Sequence, residues 1–406
     1  MSDLRRITIL GCTGSIGGSA LDVIEHANKG GPVRFEVEAL AAGSDVAALA
    51  DLALHHRPKQ AVIADESKLG ELRERLAGTN IGCSAGEQAV NEAAAVPCDR
   101  VLASIVGSAG LPSTLAAIQA GNSVAIANKE SIVCAGELIL KEAADRGVDV
   151  VPVDSEHNAI FQAMQSGKDV EKLTITASGG PFRTSTHDEM REATPDMARA
   201  HPVWDMGIKN SIDSATLMNK ALEFIEAAYL FDMPEDQIEI VVHPQSIVHG
   251  MVHYADGSVL AELNTPDMRI PIAHALAWPE RVETNVKKLD LASIGALHFE
   301  PVDNERFPAV NLARAALRFG KGAPAVLNSA NEEAVSAFVQ GRCRFLDISV
   351  IVEKTLESFF GGDFANVSPE TLADVLALDD EARKMARSVL KDMQDRRVER
   401  SFDGIS

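Results

Sequence analysis

Short apolar runs alternate with helical patterns over the first 153 residues of the chain. Between these runs, stretches such as Val46–His56 and Leu69–Leu76 carry apolar residues at helical spacing. Strands that alternate with helices favour a parallel sheet with helices on both faces. We therefore predict an α/β fold with a doubly wound sheet for residues 1–153. Its predicted strands are Arg6–Leu10, Phe35–Ala42, Gln60–Ala64, Val101–Ile105, Ser123–Ala127 and Asp149–Val153.

The pattern changes twice after this first region. Residues 154–291 mix helical stretches with four more strand candidates, which favours a central α+β domain. Residues 292–308 contain Pro301 and Pro308 and little periodicity, so we predict a linker there. Helical periodicity returns in residues 309–406, which predicts a C-terminal helical bundle. The four strand candidates are Lys172–Ala177, Ile238–Val242, Ile247–Tyr254 and Ser258–Leu263, and the four helices are Ala309–Phe319, Pro324–Val339, Ile348–Phe359 and Pro369–Arg400.

The charge balance narrows the range of partners. The 406 residues include 38 Lys and Arg against 59 Asp and Glu, a net charge of −21. Such a chain repels nucleic acids and anionic lipid surfaces, and no run of basic residues offsets this, so we predict neither nucleic-acid nor membrane binding. The five cysteines form no C-x-x-C pair, which argues against a disulfide framework and favours a cytoplasmic protein.

Three glycines follow the first predicted strand and precede a helical pattern. In Gly11-Cys-Thr-Gly14-Ser-Ile-Gly17 they permit a tight turn and a close approach of the backbone to a pyrophosphate, which would then face the helix N-terminus. Thr13 and Ser15 add hydroxyl donors. This context favours a Rossmann-like dinucleotide-binding domain. The spacing differs from G-x-G-x-x-G, so a purely structural glycine turn stays open as an alternative.

The end of the second predicted strand bears on the choice of dinucleotide. Gly43 and Ser44 leave space and a hydroxyl for a 2′-phosphate, which slightly favours NADP over NAD. Asp45 favours NAD instead, since a carboxylate there suits a free ribose 2′-hydroxyl. The alternative role of Asp45 is to cap the following helix.

Acidic residues gather at two further places. Asp154 and Glu156 end a predicted buried strand, where open α/β sheets place ligands. Asn219, Lys220 and Glu223 share one face of a predicted helix. Three carboxylates without clustered cysteine or histidine suit a hard cation, Mg²⁺ or Mn²⁺. Spacing alone leaves open that the carboxylate pair at the strand end is a helix cap.

Other polar groups accompany these carboxylates. Lys129 ends another predicted strand, where a ligand contact competes with an exposed salt bridge. Ser178-Gly-Gly-Pro181 is either an anion-binding nest or a simple tight turn. The loop from His201 to Gly207 is either a lid over a substrate or a surface loop pinned by one aromatic. His243 more often has a structural role in such a place.

Taken together, seven motifs in order resemble the 1-deoxy-D-xylulose 5-phosphate reductoisomerase family across essentially the whole chain. They are Gly11-Cys-Thr-Gly-Ser-Ile-Gly17, Ala127-Asn-Lys-Glu-Ser131, Pro152-Val-Asp-Ser-Glu-His-Asn-Ala159, Ser178-Gly-Gly-Pro-Phe182, His201-Pro-Val-Trp-Asp-Met-Gly207, Ser214-Ala-Thr-Leu-Met-Asn-Lys-Ala-Leu-Glu223 and His243-Pro-Gln-Ser246. The resemblance implies a homodimeric enzyme of the non-mevalonate isoprenoid pathway that uses NADPH and a divalent metal. It would convert 1-deoxy-D-xylulose 5-phosphate, a sugar phosphate, to 2-C-methyl-D-erythritol 4-phosphate.

The same resemblance implies roles for individual residues, with Lys129 and the three metal ligands as the catalytic set. The implied metal ligands are Asp154, Glu156 and Glu223. The substrate would contact Lys129, Ser155, Glu156, Ser178, His201, Ser214, Asn219, Lys220 and Glu223. The cofactor would contact Thr13, Gly14, Ser15, Ile16, Gly43, Ser44, Asp45, Asn128, Glu130 and Gly207, and residues 201–211 would form a flexible loop.

The sequence departs from the family pattern at two positions, and two other functions stay open. Cys12 stands where the family usually has a small hydroxyl or alanine, and Asp45 stands where an amide is common. We expect Asp45 to weaken the preference for NADPH. The rival functions are a metal-independent NADP-dependent dehydrogenase of another small carbonyl compound and a catalytically silent nucleotide sensor.

Overall fold

A seven-stranded parallel sheet forms the amino-terminal region of the computed structural model, which describes residues 3–164, 169–200, 207–362 and 368–403. Its strands are β1 (Asp3–Leu10), β2 (Val33–Ala42), β3 (Gln60–Ile63), β4 (Gly82–Ala85), β5 (Arg100–Ala103), β6 (Ser123–Ile126) and β7 (Val150–Pro152). They are ordered β4-β3-β2-β1-β5-β6-β7. The direction of winding reverses between β1 and β5, which creates a crevice at their carboxyl ends. All six predicted strands are present. The prediction missed β4, a short edge strand of small, mostly half-buried residues.

Helices cover both faces of this sheet. They are α1 (Ser15–Ala27), α2 (Val46–His56), α3 (Leu69–Arg75), α4 (Glu87–Ala94), α5 (Leu111–Gln119) and α6 (Lys129–Arg146). Alternate residues of one strand join different cores: Ile9 packs with α1 and α2, whereas the adjacent Leu10 packs with α4, α5 and α6. Burial on both faces explains why the strands are nearly continuous apolar runs.

A second sheet of five strands follows in the chain. Its strands are β8 (Val170–Ala177), β9 (Ile238–Val242), β10 (Val248–Tyr254), β11 (Val259–Leu263) and β12 (Glu300–Pro301), in the order β11-β10-β8-β9-β12. Only the β8–β9 pair is parallel among its described pairings. The segment also contains α7 (Ser155–Ala163), α8 (His187–Arg191), α9 (Pro195–Arg199), α10 (Ile208–Ala215), α11 (Met218–Leu230) and α12 (Arg269–Ala277). This mixed architecture agrees with the predicted α+β domain.

Two segments depart from the expected organisation. The predicted linker, residues 292–308, overlaps α13 (Leu291–Ile294) and contains β12, which pairs with β9. A two-residue strand is too short to show periodicity, and an edge position tolerates Pro301. In addition, α12 packs against α1 through Ile272 and Leu276, although it lies in the predicted central domain. The helices that cover the α1 face of the first sheet therefore include one from outside residues 1–153.

The carboxyl-terminal region is a helical bundle, as predicted. Its helices are α14 (Ala309–Phe319), α15 (Ala323–Val339), α16 (Asp347–Phe360) and α17 (Leu372–Asp403). The central helix, α15, packs against the other three and against α6. It carries a buried polar group, Asn328, Ser329 and Asn331, within this otherwise apolar core. None of the described helices is long and apolar enough to cross a membrane.

Candidate functional site

The glycine turn after β1 is tightly packed on one side and open on the other. Gly11 has a φ of +87°, and a Cβ on Gly17 would lie 2.5 Å from both the Cα of Cys12 and the carbonyl oxygen of Gly11. Helix α1 begins at Ser15 with Gly14 as its N-cap, and no side chain caps it. Its first amides are therefore available to an anion at the crevice between β1 and β5.

The end of β2 combines an open surface with a helix cap. Gly43, Ser44 and Asp45 are all exposed, and a Cβ on Gly43 would meet nothing within 4 Å. One carboxylate oxygen of Asp45 accepts a hydrogen bond from the amide of Ala48 at 3.0 Å and so caps α2. The alternative of a helix cap is confirmed, and Asp45 is exposed two residues from Gly43.

The predicted carboxylates and lysines meet in one buried cluster. The Lys129 amine lies 2.7 Å from Asp154 and 3.1 Å from Glu223. The Lys220 amine lies 2.6 Å from Glu156 and 2.5 Å from Glu223. Lys129 follows β6 and Asp154 follows β7, so neighbouring parallel strands bring them together. The salt bridge of Lys129 is thus buried rather than exposed.

Charge pairing governs the protonation of this cluster. Burial would raise the pKa of Asp154, but Lys129 and His157 hold it well below its ordinary value. Burial raises the pKa of Glu223, and the carboxylates of Asp154 and Glu156 raise it further. Although burial opposes its charge, Lys129 has a pKa well above the ordinary value because Asp154 and Glu223 surround it. Three carboxylates face two ammonium groups, which leaves an excess negative charge.

A second acid–base pair, His157 and Glu226, lies against the cluster. The His157 ring lies 3.1 Å from Asp154 through Nδ1 and 2.9 Å from the backbone oxygen of Glu223 through Nε2. Its Nδ1 is also 3.4 Å from Glu226. Burial would lower the pKa of His157, but Glu226 and Asp154 raise it to about 9. Sequence reasoning missed this pair, although the spacing of Asp154 and His157 on a helix could have indicated it.

The arrangement fits a hard cation. Among the described residues, ligand atoms of Asp154, His157 and Glu223 lie within 4.8 Å of one another. A protonated His157 donates through both nitrogens and cannot ligate a metal, so it orients Asp154 instead. Glu156, the third predicted ligand, accepts from Lys220 and from the Ser155 hydroxyl. Carboxylate oxygens with surplus negative charge are the donors that Mg²⁺ and Mn²⁺ prefer.

One cavity of about 380 Å³ joins the glycine turn to this cluster. At one end it is lined by Ser15 and Ile16, and at the other by Asp154, Lys220 and Glu223. Seven further predicted residues line it, namely Lys129, Ser155, Glu156, Ser178, Gly207, Ser214 and Asn219. Sequence reasoning missed the lining residues Ser19, Asn210, Ser246 and Met268. Ser246 lies in a motif that the sequence singled out and Asn210 lies in the predicted flexible loop 201–211, whereas Ser19 and Met268 carried no signal.

Two predicted cofactor residues, Asn128 and Glu130, are buried, whereas Thr13 and Ser178 lie in turns. Asn128 is buried and its side chain bonds the amide of Ser131 and the backbone oxygens of Ile105 and Gly107. Glu130 is buried and pairs with Lys209 at 2.6 Å. The expected tight turn at Ser178 is present, where its hydroxyl accepts from the amide of Gly180. Thr13 is exposed at the glycine turn. His201 and the rest of the predicted lid up to residue 206 lie outside the described residues. Residues 208–211 of the predicted flexible loop belong to α10 instead.

Family models cover most of the chain. A model described as 1-deoxy-D-xylulose 5-phosphate reductoisomerase matches residues 7–136, one for its C-terminal domain matches 150–231, and one described as DXP reductoisomerase C-terminal domain matches 263–385. A 1-deoxy-D-xylulose 5-phosphate reductoisomerase of Bradyrhizobium sp. (strain ORS 278) is 51% identical over 392 residues, 96% of this chain and 95% of that protein. The chain belongs to the 1-deoxy-D-xylulose 5-phosphate reductoisomerase family. This confirms the family resemblance.

Solved structures of the family share the fold. The enzyme from Zymomonas mobilis in complex with NADPH is 48% identical, has a TM-score of 0.89, and matches 96% of this chain and 99% of its own. A reductoisomerase in complex with NADPH, fosmidomycin and magnesium is 42% identical with a TM-score of 0.89, over the same shares of the two chains. The predicted three-part fold class is thereby confirmed.

The close packing at Gly17 leads to a first prediction. We expect Gly17→Ala to lower the free energy of unfolding by about 1–3 kcal/mol, because its Cβ must displace backbone atoms. Gly18→Ala is the matched control, because a Cβ there meets nothing within 4 Å. Replacing glycine by alanine inside a helix raises the free energy of unfolding by about 0.5–1 kcal/mol. Denaturant unfolding measures both. Equal stability of the two variants would show that the turn does not require glycine at position 17.

Proposed function

We propose that the protein converts 1-deoxy-D-xylulose 5-phosphate to 2-C-methyl-D-erythritol 4-phosphate with NADPH and a divalent cation, Mg²⁺ or Mn²⁺. The observation that carries the proposal is the single cavity that runs from the first turn of α1 to the buried carboxylates and lysines. A dinucleotide at the turn and a small substrate at the cluster would therefore lie side by side. Membership of the family supports this assignment.

The cofactor side fits NADPH. The uncapped N-terminus of α1 suits a pyrophosphate, and the open surface at Gly43 and Ser44 suits a 2′-phosphate. We assign the cofactor residues as the sequence predicted them. The direct contacts would be Thr13, Gly14, Ser15, Ile16, Gly43, Ser44, Asp45 and Gly207. The predicted residues Asn128 and Glu130 are buried and would act through the groups that they bond.

The metal side follows from the donor set. Asp154, Glu156 and Glu223 would hold the cation, and His157 would orient the first of these. A bound divalent cation supplies Lewis-acid stabilisation of charge on substrate oxygens. The substrate must rearrange its carbon skeleton to an aldehyde before a hydride and a proton reduce it, so oxygen-centred charge develops in this pocket.

The protein's own groups position and protect the substrate. Lys129 donates a hydrogen bond to Asp154 within the cluster. In the proposed reaction it would also donate to the substrate's reacting oxygens, beside Ser155. The phosphate would be held by Ser178, His201, Ser214, Asn219 and Lys220. Anchoring a remote phosphate lets its binding energy align the reacting atoms, and closure of residues 201–211 would exclude water.

The proposal extends to organisation. We assign residues 1–153 to NADPH binding, 154–291 to catalysis and metal binding and 309–406 to the helical domain. Residues 292–308, the predicted linker, connect the last two and add β12 to the second sheet. Homodimer formation belongs to the same proposal and rests on the family resemblance. A cytoplasmic location is supported by the five free cysteines.

Turnover with and without chelator tests the function directly. We expect oxidation of NADPH when 1-deoxy-D-xylulose 5-phosphate and Mg²⁺ or Mn²⁺ are present, and loss of this activity when a chelator removes the metal. The activity should return on adding metal back. Absence of turnover with metal would overturn the function. Turnover that resists chelation would favour the metal-independent dehydrogenase.

Removal of one buried carboxylate tests the metal site. Glu223→Gln keeps the shape but removes the charge, so we expect activity to fall by about a hundredfold or more, the upper end of losses when a group supporting a metal ligand is removed. NADPH affinity, measured by fluorescence titration, should stay nearly unchanged. The exposed Glu239, which pairs with Lys172, supplies the control Glu239→Gln. Loss of NADPH binding in Glu223→Gln would indicate a structural role.

Asp45 tests the cofactor preference. Asparagine also caps helices, so Asp45→Asn removes the charge and keeps the bond to Ala48. We expect the ratio of NADPH to NADH efficiency to rise by about fivefold, the order of one charge–charge contact in water. Raising the salt concentration should shrink the effect. Asp290→Asn, at the cap of α13, is the control. An unchanged ratio for Asp45→Asn would refute repulsion of the 2′-phosphate.

A further inference from the structure

The segment Ser104–Gly110, here called the β5 loop, borders the crevice where the dinucleotide is proposed to bind. It leaves the carboxyl end of β5 directly beside the glycine turn, and a Cβ on Gly11 would lie 2.7 Å from the backbone oxygen of Ser104. Val106 at its tip is 62% exposed. An apolar side chain held in the open at the reversal point of the sheet is suited to contact a bound cofactor.

An anchor on the inner side holds this loop from the neighbouring strand. The side-chain amide of Asn128 donates to the backbone oxygens of Ile105 and Gly107, the latter at 2.8 Å. A Cβ on Gly110 would lie 2.3 Å from the same amide nitrogen. Asn128 therefore holds the shape of the β5 loop, and it would act on a bound cofactor through that loop.

A second anchor comes from the C-terminal helical bundle. Arg383 of α17 donates to the hydroxyl of Ser108 at 3.2 Å and to Glu332 of α15 at 2.6 Å. The other carboxylate oxygen of Glu332 would be 3.2 Å from a Cβ on Gly107. Asp379, 2.9 Å from Arg383, fixes the guanidinium from its own helix. The outer side of the β5 loop thus rests on a charged group from residues far along the chain.

This contact consists of charged side chains, which is unexpected if its only role is to stabilise the fold. The side chains of Glu332, Asp379 and Arg383 are only 15–21% exposed. Partly buried ion pairs of this kind contribute little net stability compared with apolar packing, but they fix geometry. The planar guanidinium contacts Ser108, Glu332 and Asp379 together, and its fixed fork of donors holds the three groups in a defined geometry.

We propose that Arg383 is a positioning residue for NADPH binding: together with Glu332 it holds the β5 loop against the cofactor. The inference rests on the proposed function, since it takes NADPH as the ligand. The C-terminal domain then has a share in the cofactor site although it lies outside the dinucleotide-binding domain. The hydrogen bonds of Lys129 to Asp154 and Glu223 do not involve Arg383 or Ser108, so we expect substrate and metal contacts not to depend on this anchor.

A double-mutant cycle tests the proposal. We expect Ser108→Ala and Arg383→Gln each to raise the KM for NADPH by about fivefold, the order of one lost hydrogen bond. The double variant should be no worse than Arg383→Gln alone, because both changes break the same contact. The KM for 1-deoxy-D-xylulose 5-phosphate and the kcat should stay within twofold of wild type, about the error of such comparisons.

Arg387→Gln is the matched control. Arg387 lies one turn further along α17 and pairs with Glu333 at 2.9 Å. We expect Arg387→Gln to leave the KM for NADPH unchanged. Denaturant unfolding of Arg387→Gln and Arg383→Gln shows whether the two variants lose similar amounts of stability. Because Ser108→Ala leaves every ion pair of Arg383 in place, it reports on the loop even if Arg383→Gln folds poorly.

The outcomes separate the two proposals. If wild-type protein does not oxidise NADPH with the substrate, the proposed function fails. If wild type is active and Ser108→Ala leaves the KM for NADPH unchanged, the positioning role fails. An equal rise in both KM values would also overturn it, since that result indicates a general structural defect.

Discussion

The site depends on the burial of Glu223 between two ammonium groups. Its carboxylate is 1% exposed and accepts from Lys129, Asn219 and Lys220. A buried carboxylate without such partners would be strongly unfavourable, so the folded state requires α6 and α11 to meet at this point. The same contacts aim the oxygens of Asp154 and Glu156 towards one cavity. Local charge compensation therefore fixes the geometry of the whole site.

The topology of the sheet supplies the backbone for this arrangement. β6 and β7 are neighbours in register, so the residues that follow them, Lys129 and Asp154, start adjacent helices at the same edge. Helix α11 completes the site from the central region by packing against α6. The glycine turn after β1 opens at the same edge of the sheet. Cofactor and metal sites are close because parallel strands all end on one side.

The sequence predicted those parts of the molecule whose signals are local. Apolar runs located β1 and β2, and strand-end placement located Asp154 and Glu156. The edge strands β4 and β12 were not predicted, because each is a short run that shows no alternation of apolar and polar residues. The docking of α12 on α1 and the role of His157 depend on contacts between distant segments. Ser19 and Met268 line the cavity because of such contacts, and no local pattern marks residues of this kind.

The acidity of the chain bears on how it could hold two anionic ligands. In the cluster, Asp154, Glu156 and Glu223 carry three negative charges against the two positive charges of Lys129 and Lys220. The paired His157 and Glu226 add no net charge when both are ionised. The balance of −1 repels a phosphate, whereas one divalent cation would change it to +1. An acidic site of this kind therefore suits a sugar phosphate only together with its metal, which ties the two binding events through electrostatics.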